Sequence, residues 1–567
     1  MTTVATTDAV APSRSIEAPS APLAFDSRGV PISEDHARVW RRGVRQLDWR
    51  TVPPLTLLWL ANFIDEYCSR SAAFQDLHLK GNQFSIALAI FYISYIMVEL
   101  PSNFMLKRLS AKLWLPLLVF SWGIVTIGSS FVKNFAELAV IRVLLGVCEG
   151  GLLPGIPLYL ATMYPRYMVQ VRIAYFYAGA SLAGAFGGLL ASGLLQMDGL
   201  GGLAGWRWIF AIEGIATCAI AVIAYLWLPA SVEAAKFLST EEREVMLSAI
   251  DWDTHSMRVR NSGLDPIVLD SNNGYSQGQE MTHQLTWESK EIADTTTAAA
   301  IKEKEAMGAV TPAVSRGGAG AAGRVLEQEQ FEWREVRRGL TEIQAWLSGI
   351  AYLCVCICLY SYTLFLPTIL RGIYPDISTT RLQLLTVPPF VPATIGVVAV
   401  AYAADRAKMR VPFILGCLPF SIIGYIILLA TSDPKTKYAA IFLISLGVYS
   451  AVPCILTIPI NNSAGYYKRA TVNALQLMVA NCAGFVATFI YDAKWAPDYT
   501  PGHSVVLGAL ILAWILIALN GLYCRWENQK RANGERDSNW IRYQELVDQG
   551  LTKAPIGDRN PAFRFTI

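Results

Sequence analysis

Apolar stretches long enough to cross a bilayer recur along this chain in two sets of six, and few folds can accept that pattern. Judged against the roughly 20 residues a span needs, they fall near 52–68, 84–106, 113–131, 135–160, 173–195 and 207–228. By the same criterion a second set follows near 344–370, 383–404, 411–431, 438–460, 470–491 and 503–524. With 53% hydrophobic and 16% charged residues and a mean hydropathy of +0.36, the chain is too apolar for a soluble protein of its length. The expectation is an all-α membrane protein with twelve transmembrane helices in two six-helix bundles.

Charge orients those spans. Arg41, Arg42, Arg45 and Arg50 precede the first apolar run. Lys107, Arg108 and Lys112, then Arg166 and Arg172, Arg406, Lys408 and Arg410, and Lys468 and Arg469 fall in loops on the same side. The opposite loops are sparser, with Arg70, Lys80, Arg371, Lys435 and Lys437. The positive-inside bias therefore places both termini in the cytosol. The N-terminal MTTVATTDAVAPSRS has no apolar core of a signal peptide, so the first span is expected to direct insertion. Residues 1–50 read as a disordered cytosolic tail, 51–230 as the first bundle, 231–342 as a partly disordered cytosolic linker, 343–525 as the second bundle and 526–567 as a cytosolic tail. Within the linker, TTTAAAIKEKEAMGAV and SRGGAGAAGR cannot bury enough surface to fold alone. Amphipathic pieces bound it at SVEAAKFLSTEER and FEWREVRRGL, with Ser239 or Thr240 as a helix N-cap.

The fourth span, FAELAVIRVLLGVCEGGLLPGIPLYL, carries Arg142 and Glu149 inside an apolar run. Seven residues is about two helical turns, so both side chains face one shared space. Ionisable groups at membrane depth are costly and are functional candidates by default; a structural ion pair is the competing reading. Gly146, Gly150, Gly151 and Gly155 permit close helix packing, and Pro154 and Pro157 are expected to bend the helix.

Two basic turns sit at equivalent places in the halves, ELPSNFMLKRLSAKLWLP from Glu99 and AYAADRAKMR from Ala401. They imply an internal repeat. Further stretches are GWRWIFAIEG at 205, RVLLGVCEGGLLPG at 142, QLLTVPPFVPATIGVVAVAYAADR at 383 and NNSAGYYKRA at 461. Over roughly residues 45–525 these together resemble the anion:cation symporter family of the major facilitator superfamily, in its fungal allantoate-permease-like branch. The resemblance implies the major facilitator fold and uptake of small organic anions, nicotinate-, pantothenate- or ureide-like, commonly driven by protons. It also implies gating by Asp405 and Arg406, and by Lys107 and Arg108 in the first copy, where Lys107 stands in place of the usual Asp. The fifth span lacks the Gly-Pro pair of drug antiporters, reading Gly184 then Ala185.

By the same resemblance, Glu149 is a proton-binding candidate and Arg142 a substrate-binding one. The chemistry agrees, because a guanidinium holds a carboxylate bidentately and stays charged. A substrate anion competing for Arg142 changes the charge that Glu149 feels, which links the two occupancies. In the first span Asp65 follows about fourteen residues of membrane path, ~21 Å, and Arg142 enters from the other side by ~10 Å. Asp65 and its neighbour Glu66 are therefore further proton-coupling candidates, with water at the helix end as the alternative. The family pattern has Arg where Glu66 stands, and the chain runs short before GNQFSIAL. Altered specificity, loss of transport and a few residues lost from the gene model all account for this. In the second half Tyr360, Tyr449, Gln476 and Asn481 are polar groups within apolar helices, expected to reach substrate or to bind helices together.

No nucleophile-base set, metal-ligand spacing or phosphate loop is recognisable, so the chain is not expected to be an enzyme or to carry a cofactor or metal. Its ten cysteines form no disulfide framework, and its net charge of +3 points to no nucleic acid. The expectation is a monomer of the plasma membrane that takes up a small organic anion together with protons by alternating access. A nutrient receptor that no longer transports, and an efflux carrier, are the alternatives.

Overall fold

In the computed structural model, the first half starts with α1 (Glu34–Cys68), then α2 (Gln83–Leu109) and α3 (Ala111–Ser129). The fourth span is divided into α4 (Phe135–Glu149) and α5 (Leu152–Met163), and α6 (Arg166–Leu195) and α7 (Gly205–Trp227) complete the half. Outside the membrane come α8 (Thr240–Val259) and α9 (Trp333–Leu340). The second half contains α10 (Ile343–Ile373), the pair α11 (Thr379–Thr386) and α12 (Phe390–Ala407), α13 (Val411–Ala430) and α14 (Pro434–Asn462). It ends with the pair α15 (Tyr466–Asn481) and α16 (Ala483–Ile490), then α17 (Thr500–Ala532), and α18 (Ser538–Asp548) follows. The structure describes residues 25, 30–68, 83–259, 331–491, 495, 498–554 and 556–567, without the side chains of 63–68, 84, 85, 88, 180–192, 195, 251–259, 379 and 380. These helices belong to one unit, and the greater part of the expected linker, 262–328, is a separate one outside the described residues.

Ten spans are long and apolar enough to cross a membrane among the described residues, and α1 and α6 bring the count to twelve, six in each half. Their ends follow from local chemistry. Asn134 caps α4 by accepting from Glu137 N at 2.9 Å, while the Glu137 carboxylate accepts from Lys133 N at 2.8 Å. Asp433 caps α14 in the same way through Thr436 N, with Pro434 at the first helical position. Ser239 and Glu242 exchange hydrogen bonds in a capping box that starts α8.

Where the helices break, the cause differs from one span to the next. Val387, Pro388 and Pro389 separate α11 from α12, as two prolines in sequence require. In the fourth span the interruption is at Gly150 and Gly151, ahead of both prolines expected to bend it. Pro154 lies in the first turn of α5, where a missing N–H costs no helical hydrogen bond, and Pro157 lies inside that helix. Two further differences concern the tails. Helix α1 begins at Glu34 and takes in residues assigned to the tail, and residues 556–567 fold back onto the body of the protein.

Helix α14 is the enclosed member of its half, with 83% of its most apolar window buried, against 33% for α17, whose Leu519 and Leu522 face outward toward lipid. Between the halves, α2 packs on α15 and α6 on α12.

Candidate functional site

Helix α4 ends on Glu149, two turns after Arg142, and both side chains are half-buried and engaged in interactions. The buried Asn62 of α1 donates from Nδ2 to Glu149 Oε1, tying the two helices together. The break that follows is held against α2 by glycines. A Cβ at Gly146 would fall on Ser94 Oγ and within 2.5 Å of the Phe91 carbonyl, and one at Gly150 would lie 2.5 Å from the Tyr95 carbonyl. Close approach of backbones is what places an acidic side chain at an interrupted helix near the middle of the span. Asp65 and Glu66 lie in the last turns of α1, where side chains are outside the described residues.

A second polar group forms where the halves meet. Asn481, the last residue of α15, donates from Nδ2 to Glu99 Oε1 of α2, and its Oδ1 accepts from Tyr360 Oη of α10 at 2.8 Å. Glu99 is 0% exposed, and its Oε2 has no hydrogen-bond partner among the described residues. The Tyr92 ring of α2 packs 6.2 Å from that of Tyr360 and covers Gly484, where any side chain would strike it. The structure thus brings Tyr360 and Asn481 together but not the other two candidates of the second half. Tyr449 Oη pairs with Thr363 Oγ1 at 3.0 Å, and Gln476 Nε2 donates to the Ile455 carbonyl at 3.0 Å, both within their own half.

At the face that carries the start of α1 and the C-terminal residues, the halves are joined closely. Asp405 accepts from Arg410 Nη2 at 2.6 Å and, across the halves, from Val171 N at 3.0 Å. Arg406 points outward and is exposed, as is Arg108. Lys107 instead stands 4.1 Å from the Tyr467 ring centre and 5.0 Å from that of Tyr466, a cation-π contact between the halves. Asn103 Nδ2 donates to the Ala470 carbonyl at 3.1 Å, and Arg166 Nη1 to the Asn461 carbonyl at 3.3 Å. Arg172 grips Asp48 bidentately at 2.9 and 2.7 Å, fixing α6 to α1.

The C-terminal residues lie against this face. Asp558 is buried between Lys468 at 2.6 Å and Arg338 at 3.4 Å. Burial by itself would raise its pKa, but the two cations hold it below the usual Asp value. Asn462 and Thr566 exchange hydrogen bonds, and Arg410 N donates to the Ile567 carbonyl at 2.6 Å.

Sequence reasoning missed Asn62 and Glu99. Asn62 is three residues before Asp65 in NFIDEYC, and Glu99 opens the ELPSN segment read for its basic turn; an acid within an apolar run was the available signal for Glu99.

Residues 55–488 match the Major Facilitator Superfamily. An uncharacterized transporter of Schizosaccharomyces pombe is 30% identical over 97% of this chain and 94% of its own. The high-affinity nicotinic acid transporter of Saccharomyces cerevisiae is 25% identical over 95% of this chain and 87% of its own. Among solved structures, a proton:xylose symporter superposes with a TM-score of 0.56 at 14% identity, covering 84% of this chain and 95% of that one. Twelve spans in two halves, joined through α2 with α15 and α6 with α12, agree with that match, and the chain belongs to the Major Facilitator Superfamily of membrane transporters.

Proposed function

We propose that this protein is a symporter that takes up a small organic anion with protons by alternating access, in the manner of the anion:cation symporter family. The observation that carries this reading is the α4 pair, Arg142 and Glu149 on one face of an interrupted helix, with Glu149 held by Asn62. Arg142 binds the substrate carboxylate through its planar fork, and Glu149 carries the proton. Substrate on Arg142 withdraws a cation from the neighbourhood of Glu149, so each occupancy alters the other. The similarity to a nicotinic acid transporter supports a monocarboxylate of that size. Asp65 and Glu66 are further proton-coupling residues on the same reading. The joined face is read as cytosolic, with Asp405, Val171 and Lys107 closing it while the opposite side admits substrate.

The test is uptake of labelled organic acids by vesicles that hold the purified protein, with and without an inward proton gradient. Gradient-stimulated accumulation that falls more than about tenfold in Glu149→Gln, equivalent to more than about 1.4 kcal/mol, is the expected result. Accumulation indifferent to the gradient overturns the coupling, and ligand binding without accumulation overturns transport.

A further inference from the structure

Glu99 lies fully inside the contact between the halves, and its surroundings are unusual for an acid. A buried carboxylate is normally matched by a cation or by several donors, because leaving water is costly for the charged form. Here, among the described residues, the hydrogen bond it accepts comes from the neutral amide of Asn481. The groups near it are Asn481 at the end of α15, the thiol of Cys482 just after that helix, and, through Asn481, the hydroxyl of Tyr360 on α10. Helices α4 and α3 also pack on α2, and their ionisable groups include Arg142, Cys148 and Glu149 on α4 and Lys112 on α3. Among the described residues, Glu99 takes its hydrogen bond from Asn481 and its second carboxyl oxygen takes none.

The chain Glu99, Asn481, Tyr360 can run in two directions. An ionised Glu99 accepts from Asn481 Nδ2 while the Tyr360 hydroxyl donates to Asn481 Oδ1, which is one of the two ways the amide can be oriented between these partners. With Glu99 protonated, turning the amide through 180° leaves its shape unchanged and exchanges its ends. The Glu99 O–H then donates to Asn481 Oδ1, and Asn481 Nδ2 donates to Tyr360 Oη, since a phenol both donates and accepts. Both protonation states are thus accommodated without moving a helix. Only one of them buries no net charge.

We infer that Glu99 is a second proton-binding group of this transporter, and that it takes up its proton when α2 and α15 close over it, with Asn481 and Tyr360 as the reversible joint. The inference rests on the proton-coupled reading but assigns a different atom from Glu149. When the halves part, Glu99 loses Asn481 and meets water, where the carboxylate is stable. To close again it must be protonated, so closure of this contact and proton uptake become one event.

The test separates this from the fate of the Glu149 reading. Infrared spectra of the purified wild-type protein in vesicles, taken from acid to alkaline pH, are expected to contain a protonated-carboxyl C=O band that is absent in Glu99→Gln and retained in Glu149→Gln. In Tyr360→Phe, which keeps the carboxyl and removes one hydroxyl, the band is expected to shift in frequency because the hydrogen-bonded chain is cut. A band unchanged in Glu99→Gln overturns the assignment, whether or not uptake follows the gradient. A band lost in Glu99→Gln but unmoved in Tyr360→Phe overturns the joint. Uptake by Glu99→Gln gives the functional reading: the side chain mimics the neutral acid, so the pH profile of uptake flattens while anion binding persists, and an unaltered pH profile overturns the coupling role.

Discussion

Two spans of this transporter are interrupted beside a polar side chain, one in each half, and they are used differently. In the first half α4 ends on Glu149, whose partner Asn62 comes from the same half. In the second, α15 ends on Asn481, whose partner Glu99 comes from the other half. A bond within a half survives a rocking motion because both ends travel together, whereas a bond across the halves must break each time they separate. The first is suited to holding a site in shape, and the second to reporting which state the protein occupies.

That contrast orders the expected outcomes of substitution. The largest effect belongs to Asp405→Ala, which removes the tie to Val171 and strands Arg410, whose side chain is 2% exposed. Breaking a buried pair from one side costs about 3–5 kcal/mol. A fall in thermal stability together with easier cross-half opening, followed by paired spin labels or fluorophores, is expected; a stability loss with no opening would place Asp405 within its own half only.

Next comes Asp558, whose ties to Lys468 and Arg338 all lie in the second half and its flanking helix. Its pKa is held low, so its contribution is complete above the ~3.9 of an unfolded Asp and is lost as pH falls through the lower docked value. Proteolysis at the C-terminal segment should therefore be unchanged between about pH 7 and pH 5 in the wild type. It should accelerate in Asp558→Asn at either pH without altering the separation of the halves.

The glycines sharpen the comparison further. Gly146→Ala presses α4 into the α2 backbone inside one half, where overpacking costs about 1–3 kcal/mol and appears as lost thermal stability. Gly484→Ala presses on Tyr92 from across the halves. It should leave stability closer to the wild type and shift the protein toward the separated state; equal stability losses in the two variants would erase the distinction. The smallest effect is expected for Arg406→Ala, within about 0.5 kcal/mol, since its exposed side chain ties nothing across the halves.

The parts legible in the sequence are those that local rules govern. Apolar length gave the spans, Ser239 with Glu242 announced a helix start, and the glycines around Glu149 announced close packing, each confirmed in place. The seven-residue spacing of Arg142 and Glu149 on one helix needed nothing but helical periodicity. Partners were beyond reach. Asn481 is 382 residues from Glu99, and the basic turn assigned to an Asp405 and Arg406 pair uses Arg410 and the backbone of Val171, 234 residues away.

By itself, then, the sequence determined that this chain crosses a membrane in two matched sets of helices and where its costly charges lie along them, because burial in lipid acts on each segment separately. Only the tertiary structure decided which polar groups meet. A carboxyl in an apolar helix reads the same from its neighbours whether it finds a cation, an amide or water, and that choice is made by helices brought together from opposite halves.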